Sequence, residues 1–482
     1  MKPRHVGFVC LASGFLVAVV GACGGTSNPA TTPNINPPTA PTAPTSVTMN
    51  AGDTAVSLGW LAPASDGNSP IQNYVVSISP AVSATLITIA GTSAIITGLT
   101  NGESYTATIA AKNAVGVSPV ATSPVIVPTS ANASNYKPIV IAGDNSPSGI
   151  YDPSLLAMQN GQVWLAYSSV NYYSVSGHTV QDVSTRIAQS GDGGKTFSYI
   201  QTVGAAQPAT VTDASGKVCG AQTCTGRWVY EVPWLVDDAS DPDGTRRYKL
   251  FAHKYFLYPP ASPSTNYQLG AIVMWTAATP YGSWSAETHL LGWNLTPPEL
   301  TANVNINAMD PALGSCLLLT EGGAATTNSG LDFVFSCAYF DSPTSSILQK
   351  IILLRTADHA NTFQYVATLL QPSDANTVGA DYYGAPALLP TGSSAPVLIA
   401  TPVIHGSYSG CVVFPFADVT SGTLFRSNGA PVSILKMTLL NQDFGGACAW
   451  DGGVTATGIL MDDVNLSATP PFRILATGKS LQ

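Results

Sequence analysis

From about residue 44 onward, apolar and polar positions alternate in short stretches separated by turn residues. Val56, Leu58 and Trp60 alternate with small or polar neighbours, and Tyr105, Ala107 and Ile109 do so again. A period of two is what a half-buried strand requires. From Tyr136 to Gln482 the pattern becomes a loose repeat. Each unit opens with an apolar strand carrying an acidic residue or Gly and a Pro. A turn, an aromatic-rich second strand, and third and fourth strands follow. The openings read YDPSLL (151–156), YEVPWLV (230–236), MDPAL (309–313) and YGAPALL (383–389), with a weaker fifth at CAWDGGVTATGIL (448–460). No long amphipathic helix interrupts them. The pattern predicts an all-β chain of two parts, one of them repetitive.

Composition agrees with that class. Charged residues make up 9% of the 482 positions, hydrophobic residues 45%, and Gly (44) and Pro (36) are plentiful. The formal charge of −9 is spread thinly with no basic run, which excludes nucleic acid as an expected partner. At the start, Lys2 and Arg4 precede an apolar run from Val6 to Val20, short of the ~20 residues a membrane span needs. Val20-Gly21-Ala22-Cys23 resembles a bacterial lipobox. That resemblance implies a signal peptide over 1–23, a lipid on Cys23, and attachment to the membrane by that anchor only. Gly24 in the next position implies the outer membrane or cell surface. Residues 24–43, rich in Pro and Thr, read as an extended linker. Six cysteines remain once Cys10 and Cys23 are set aside. In an exported chain an even number implies disulfides. Neighbour pairing is expected (Cys219–Cys224, Cys316–Cys337, Cys411–Cys448), because each pair then falls within one repeat or between adjacent ones. No Cys-x-x-Cys occurs to support a metal site.

Residues 44–129 resemble a fibronectin type III domain over its whole length, on VSLGWLAP, SDGNSPI, NYVVSI and LTNGESYTATIAAKNAVGVS. The resemblance implies a β-sandwich with Trp60 between its sheets and Leu99 and Tyr105 at a tyrosine corner. Such modules space or bind and do not identify an activity. Ser190 to Phe197 reads SGDGGKTF and resembles the Asp-box of sialidases and related β-propellers, with Ser190, Asp192, Gly194 and Phe197 at its marked positions. Gly193 and Gly194 suit a reversal with φ > 0, and the Asp192 carboxylate can accept loop N–H groups. Only one such octet is evident. With the repeat, it predicts a β-propeller over 136–482. Five blades of roughly seventy residues are expected, with six as the alternative.

If the openings are inner strands, Asp152, Glu231 and Asp310 share one axial funnel. Converging carboxyls are what glycoside hydrolysis requires, one protonated and one ionised, with a third raising the acid's pKa. YDPSLL and MDPAL resemble segments of five-bladed glycoside hydrolases such as family 43, and YEVPWL resembles a Glu-x-Pro acid segment. The resemblance implies Asp152 as base, Glu231 as acid and Asp310 as modulator, with a polysaccharide or glycan as partner and a monomer as the working state. Of Glu231, Glu287, Glu299 and Glu321, only Glu231 reads as lying in an apolar inner-strand context. The acid of those families comes from the fourth blade, which here reads ADYYGAPALL with Asp381 as the nearest carboxylate. No cofactor is expected; if a calcium occupies the channel, His405 is its candidate neighbour. Sialidase chemistry would need three arginines around a carboxylate, and none of Arg186, Arg227, Arg246, Arg247, Arg355, Arg426 and Arg473 stands at a repeat opening. Trp228, Trp234, Trp275, Trp284, Trp293, Trp450 and the Tyr172–Tyr173 and Tyr382–Tyr383 pairs are candidates for sugar stacking, two or three of them at the mouth. The alternative to an enzyme is a glycan- or protein-binding propeller. It would show Asp152 or Glu231 locked to loop N–H groups or to arginine.

Overall fold

The computed structural model describes residues 37–481 except position 84 and the segments 129–135, 159, 176–177, 221, 259–265, 328–329, 342–345, 389–396, 438–443 and 452–456. The expected signal peptide, Cys23 and most of the linker lie outside the described residues. Among the described residues no helix is long and apolar enough to cross a membrane.

The first part is a sandwich of a four-stranded and a three-stranded antiparallel sheet. Trp60, Leu99, Tyr105, Val56, Leu58 and Ile109 are all buried in its core. The Thr100 N–H donates to the Tyr105 hydroxyl at 3.1 Å, which closes the corner that the sequence predicts. This sandwich leans on the second part. The Asp53 N–H donates to Ile434 O at 2.8 Å and Ser93 Oγ to Ala417 O at 2.9 Å. Ala55 and Ile95 join Phe425, Ile434, Trp450 and Leu481 in one apolar cluster. Gly52 permits the contact, because a Cβ there would meet Ile434 O at 2.1 Å.

The second part is a five-bladed propeller. Blade 1 runs Gly149–Ala157, Val163–Val175, His178–Ser190 and Phe197–Gly204; blade 2 is built on Thr223–Asp237, Tyr248–Leu257, Gly270–Ala277 and Thr288–Gly292. Blade 3 comprises Leu318–Thr327, Gly330–Phe340, Ile347–Thr356 and Gln364–Leu370, and blade 4 comprises Tyr382–Leu388, Val397–Ile404, Cys411–Asp418 and Leu435–Met437. Blade 5 is assembled from both ends of the propeller. Its inner segment bridges Leu460–Val464 through Phe444↔Val464 and Ala449↔Leu460. Phe472–Ala476 follows, and Lys137–Pro138 pairs antiparallel with it as the outer strand. That exchange closes the ring and leaves no long free edge.

Each inner strand is broken at one equivalent point. The register shifts between Tyr151 and Ser154, Glu231 and Trp234, Thr320 and Gly322, and Gly384 and Ala387. At these points Asp152 (φ 53°), Val232 (53°), Glu321 (41°) and Ala385 (42°) are left-handed, and Ala447 (46°) matches them in blade 5. A bulge bends its strand and re-aims a side chain. A non-glycine residue in the left-handed region is uncommon, and for a β-branched one it is an outlier. Because Val232, Ala385 and Ala447 carry no chemistry, the bulge is a feature of the fold. The acidic residues make use of it. Below the bulges the five strands enclose an axial cavity of about 350 Å³ that runs from Asp152 to Asp237 and Asp451.

The Ser190–Phe197 turn is held as its sequence predicts. Ser190 Oγ accepts from Gly194 N at 2.8 Å, the Asp192 carboxylate accepts from Thr196 N at 3.0 Å and Thr196 Oγ1 at 2.7 Å, and Phe197 is buried. Blade 3 repeats the arrangement between its third and fourth strands, where the sequence reading finds none. Thr356 Oγ1 accepts from Ala360 N at 3.1 Å, Asp358 accepts from Thr362 N at 2.8 Å and Thr362 Oγ1 at 2.6 Å, and Phe363 is buried. His359 (φ 60°) and Ala360 (72°) stand there in place of the glycines, which hides the repeat.

All three cysteine pairs are disulfides as expected: Cys219–Cys224, Cys316–Cys337 and Cys411–Cys448. The last joins blade 4 to the inner segment of blade 5.

Candidate active site

At the head of the inner strands four carboxyls gather: Asp152 from blade 1, Glu231 from blade 2, Glu321 from blade 3 and Asp462 from blade 5. They are close enough for their charges to interact. Among the described residues no lysine, arginine or histidine forms an ion pair with any of them. Two are sealed in and two reach solvent. Asp152 and Asp462 are 7% and 4% exposed, while Glu231 and Glu321 are only half-buried.

The sealed pair is a framework. Asp462 accepts the Asp152 N–H through both oxygens, at 3.0 and 2.9 Å, holding the strained backbone of the blade 1 bulge. Asp152 in turn accepts from Ser168 Oγ at 2.8 Å and from Val232 N at 3.3 Å. Burial pushes the Asp152 carboxyl well above its ordinary range, with the Glu231 charge adding to it; for Asp462 burial and the Asp152 charge do the same.

The accessible pair has unlike surroundings. Glu231 accepts a hydrogen bond from the Tyr151 hydroxyl, whose oxygen accepts from Gln181 Nε2 at 3.0 Å. Burial raises the Glu231 pKa, and the Tyr151 and Tyr255 hydroxyls pull it back by favouring the ionised form. Glu321 accepts from Ala385 N at 3.0 Å. Burial lifts its pKa to about 7, offset by that N–H and reinforced by the Glu231 charge. Glu321 therefore keeps its proton to near neutrality, while at Glu231 the two hydroxyls favour the ionised form against burial. A carboxylic acid beside a carboxylate can move a proton and attack, or activate water for attack, at a nearby electrophile.

The Glu321 shift carries a stability consequence. Its folded pKa of about 7 exceeds the ordinary 4.5, so between those values the native state holds a proton that the unfolded chain has lost. This contribution is full below pH 4.5 and disappears as pH rises through 7. Glu321→Gln is thus expected to raise the melting temperature at pH 8 and to change it little at pH 4.5. Thermal unfolding at the two pH values checks this, and a lower melting temperature at pH 8 would contradict it.

The structure brings Asp152 and Glu231 together but places Asp310 elsewhere. Asp310 is the N-cap of the 3-10 turn Pro311–Leu313, where its carboxylate accepts from Ala312 N at 2.8 Å. Asp followed by Pro is a cap-and-first-turn signature, and here that local role takes precedence. The inner strand of blade 3 starts later, at Leu318, and its acidic residue is Glu321. The signal for Glu321 is an apolar run, LLLTEGGAA, with the Cys316–Cys337 disulfide just ahead of the strand. His405 is exposed on a hairpin tip and does not line the axial cavity, so it is no partner for a calcium there. His253, opposite Glu231 on the next strand, is the buried histidine; burial lowers its pKa to about 3 and keeps it neutral. Among the described residues one acidic trio with metal-ligand spacing occurs, Asp238, Asp241 and His359. Lys249 Nζ lies 2.9 Å from Asp238 and 2.8 Å from Asp241, so the chain's own ammonium neutralises the trio.

Every propeller arginine is paired with an aspartate: Arg186–Asp144, Arg227–Asp182, Arg246–Asp241, Arg247–Asp237, Arg355–Asp332, Arg426–Asp374 and Arg473–Asp463. A three-arginine carboxylate clamp has no members left to recruit. Trp228, Trp234, Trp275, Trp293 and Trp450 are buried in packing and Trp284 half-buried. Tyr383 is buried too, which leaves Tyr172 and Tyr173 as the exposed aromatics among those named from sequence.

Residues 40–128 match the fibronectin type III domain. None of the curated proteins compared matches the sequence. Among solved structures the chain is similar to an exo-inulinase from Aspergillus awamori, with 14% identity over 72% of this chain and 64% of that one and a TM-score of 0.44. It is also similar to a family 117 glycoside hydrolase of the marine bacterium Zobellia galactanivorans (10%, 71% and 90%, 0.38) and to a Hadza microbial sialidase (13%, 78% and 64%, 0.35). These likenesses are distant and assign no activity to this chain.

Proposed function

We propose that this protein is a glycan-active propeller that hydrolyses O-glycosidic bonds, with Glu321 as general acid and Glu231 as base or nucleophile. The observation that carries this reading is the accessible pair Glu231 and Glu321. The two lie on neighbouring inner strands, and among the described residues no cation pairs with either. Tyrosine hydroxyls favour the ionised form of Glu231 against the burial that raises its pKa, and burial keeps Glu321 protonated to near neutrality. In the reaction Glu321 gives its proton to the leaving oxygen. As the glycosidic C–O bond breaks, Glu231 takes one of two roles, according to the carboxyl separation. It either takes a proton from the water that attacks the anomeric carbon, or attacks that carbon itself to form a glycosyl ester, which a water deprotonated by the Glu321 carboxylate then hydrolyses. Asp152 and Asp462 brace the blade 1 bulge beside the pair, and the pKa-modulating role expected of Asp310 from the sequence passes to no single residue in this reading. The Asp-box assignment of the Ser190 octet belongs to this proposal as well, as a device that fixes the blades.

A second reading, a propeller that binds glycans without turnover, is favoured by one observation: Asp152 is held by Val232 N–H and Ser168 rather than open to solvent. Reducing-sugar release by the purified protein on arabinan, xylan, fructan, galactan and sialoglycan separates the two. Release from any of them supports the hydrolase, and retention without release supports the binder.

The same proposal places the protein at the outer membrane or cell surface on a lipidated Cys23, as a monomer. Cys23→Ser is expected to abolish incorporation of labelled fatty acid and to move the protein from the membrane to the soluble fraction. Unchanged labelling would refute the anchor.

A further inference from the structure

The second and third strands of blade 1 are longer than the strand they lean on. Val163–Val175 and His178–Ser190 pair without a break from Val163↔Ser190 to Val175↔His178, whereas the inner strand stops contributing at Gly149↔Val170. The end of this hairpin therefore projects past the heads of the inner strands, on the face where the four carboxyls gather. It is fixed there. Arg227 of blade 2 binds Asp182 with two hydrogen bonds of 3.1 and 3.0 Å, donates to Ala206 O at 3.2 Å, and lies over the Tyr173 ring at 4.5 Å. Bidentate pairing and a stacked guanidinium hold planar geometry well.

The hairpin also reaches the carboxyls. Gln181 Nε2 donates to the Tyr151 oxygen, and the Tyr151 hydroxyl donates to Glu231. Tyr172 stands directly opposite Gln181 in the ladder, so the two side chains leave the same face of the hairpin. Tyr172 is 44% exposed, and among the described residues it has no ring, cation or hydrogen-bond partner. A large apolar ring held open on a braced hairpin, beside a side chain that touches the carboxyl network, is uncovered surface with a defined position. The apolar face of a sugar ring fits it, with hydroxyls directed to the rim.

We infer that Tyr172 is a stacking platform for a sugar unit next to the one at Glu231 and Glu321, so that the ligand is a chain of at least two units. This rests on the glycan-active reading. Tyr173, its neighbour, is a bracing residue because its ring is engaged by Arg227.

Affinity electrophoresis of the full protein through native gels containing arabinan, xylan, fructan or galactan tests it, with Tyr172→Ala and Tyr172→Phe run beside wild type. In the gel that retards wild type, Tyr172→Ala is expected to weaken binding about tenfold, while Tyr172→Phe stays within roughly twofold, since stacking needs the ring and not the hydroxyl. Equal retardation of wild type and Tyr172→Ala would overturn the platform alone. Equal losses in both variants would overturn stacking in favour of a hydroxyl contact. No retardation of wild type in any gel would overturn the platform together with the glycan-active reading.

Discussion

Under the proposed hydrolase reading, Glu231→Gln is expected to lower glycan hydrolysis by about 10²–10⁴-fold on every glycan that the wild type cleaves. The amide is nearly isosteric and can still accept from the Tyr151 hydroxyl, so the site keeps its shape. What disappears is the negative charge that attacks or activates water. Because the loss falls on the step at the anomeric carbon, changing the leaving group does not restore it. Folding is expected to survive, since removing a raised-pKa carboxylate from a desolvated site relieves a cost at neutral pH. Single-turnover rates measured with thermal unfolding on the same preparation check both halves. Full activity in a folded Glu231→Gln protein would remove Glu231 from the reaction.

The largest stability effect is expected at the seam of the ring. Cys411 lies on the third strand of blade 4 and Cys448 on the inner segment of blade 5; both are buried, and 37 positions separate them. Blade 5 is held by short pairings and isolated bridges, so this covalent link has few neighbours to share its role. Replacing both cysteines with alanine is expected to cost about 3–4 kcal/mol, the range for a closed loop of this size. Urea unfolding checks it through a lower midpoint, with a slope that rises because the unfolded chain is no longer cross-linked. An unchanged midpoint would show that the noncovalent pairings of blade 5, the Lys137–Pro138 strand among them, suffice to close the ring.

Much of the fold was legible because it rests on local patterns. Alternation at Val56, Leu58 and Trp60 and the Leu99–Tyr105 corner define the sandwich, and the strand openings define the blades. Neighbour pairing of the cysteines follows from blade adjacency. The site was legible only in part, for two physical reasons. Asp-Pro carries one local chemistry in two settings: at Asp152 it is a bulge in an inner strand, and at Asp310 it caps a 3-10 turn, and sequence spacing does not separate them. The bulge itself has no residue signature, since Asp, Val, Glu and two Ala occupy it. Glu321 was passed over for that reason. Asp462 was missed because its role is to hold the Asp152 N–H from the far end of the chain, a contact that only ring closure creates. The blade 3 turn was hidden by His359 and Ala360 in glycine positions.

The most direct measurement compares wild type and Glu321→Gln on a polysaccharide that the wild type cleaves in the proposed reaction and on an aryl glycoside of the sugar released. An acid that protonates a poor leaving group matters little when the leaving group is an acidic phenol. The acid–base assignment predicts a loss of about 10²-fold or more on the polysaccharide and a much smaller one on the aryl glycoside. Equal losses on both, or none on either, would contradict it.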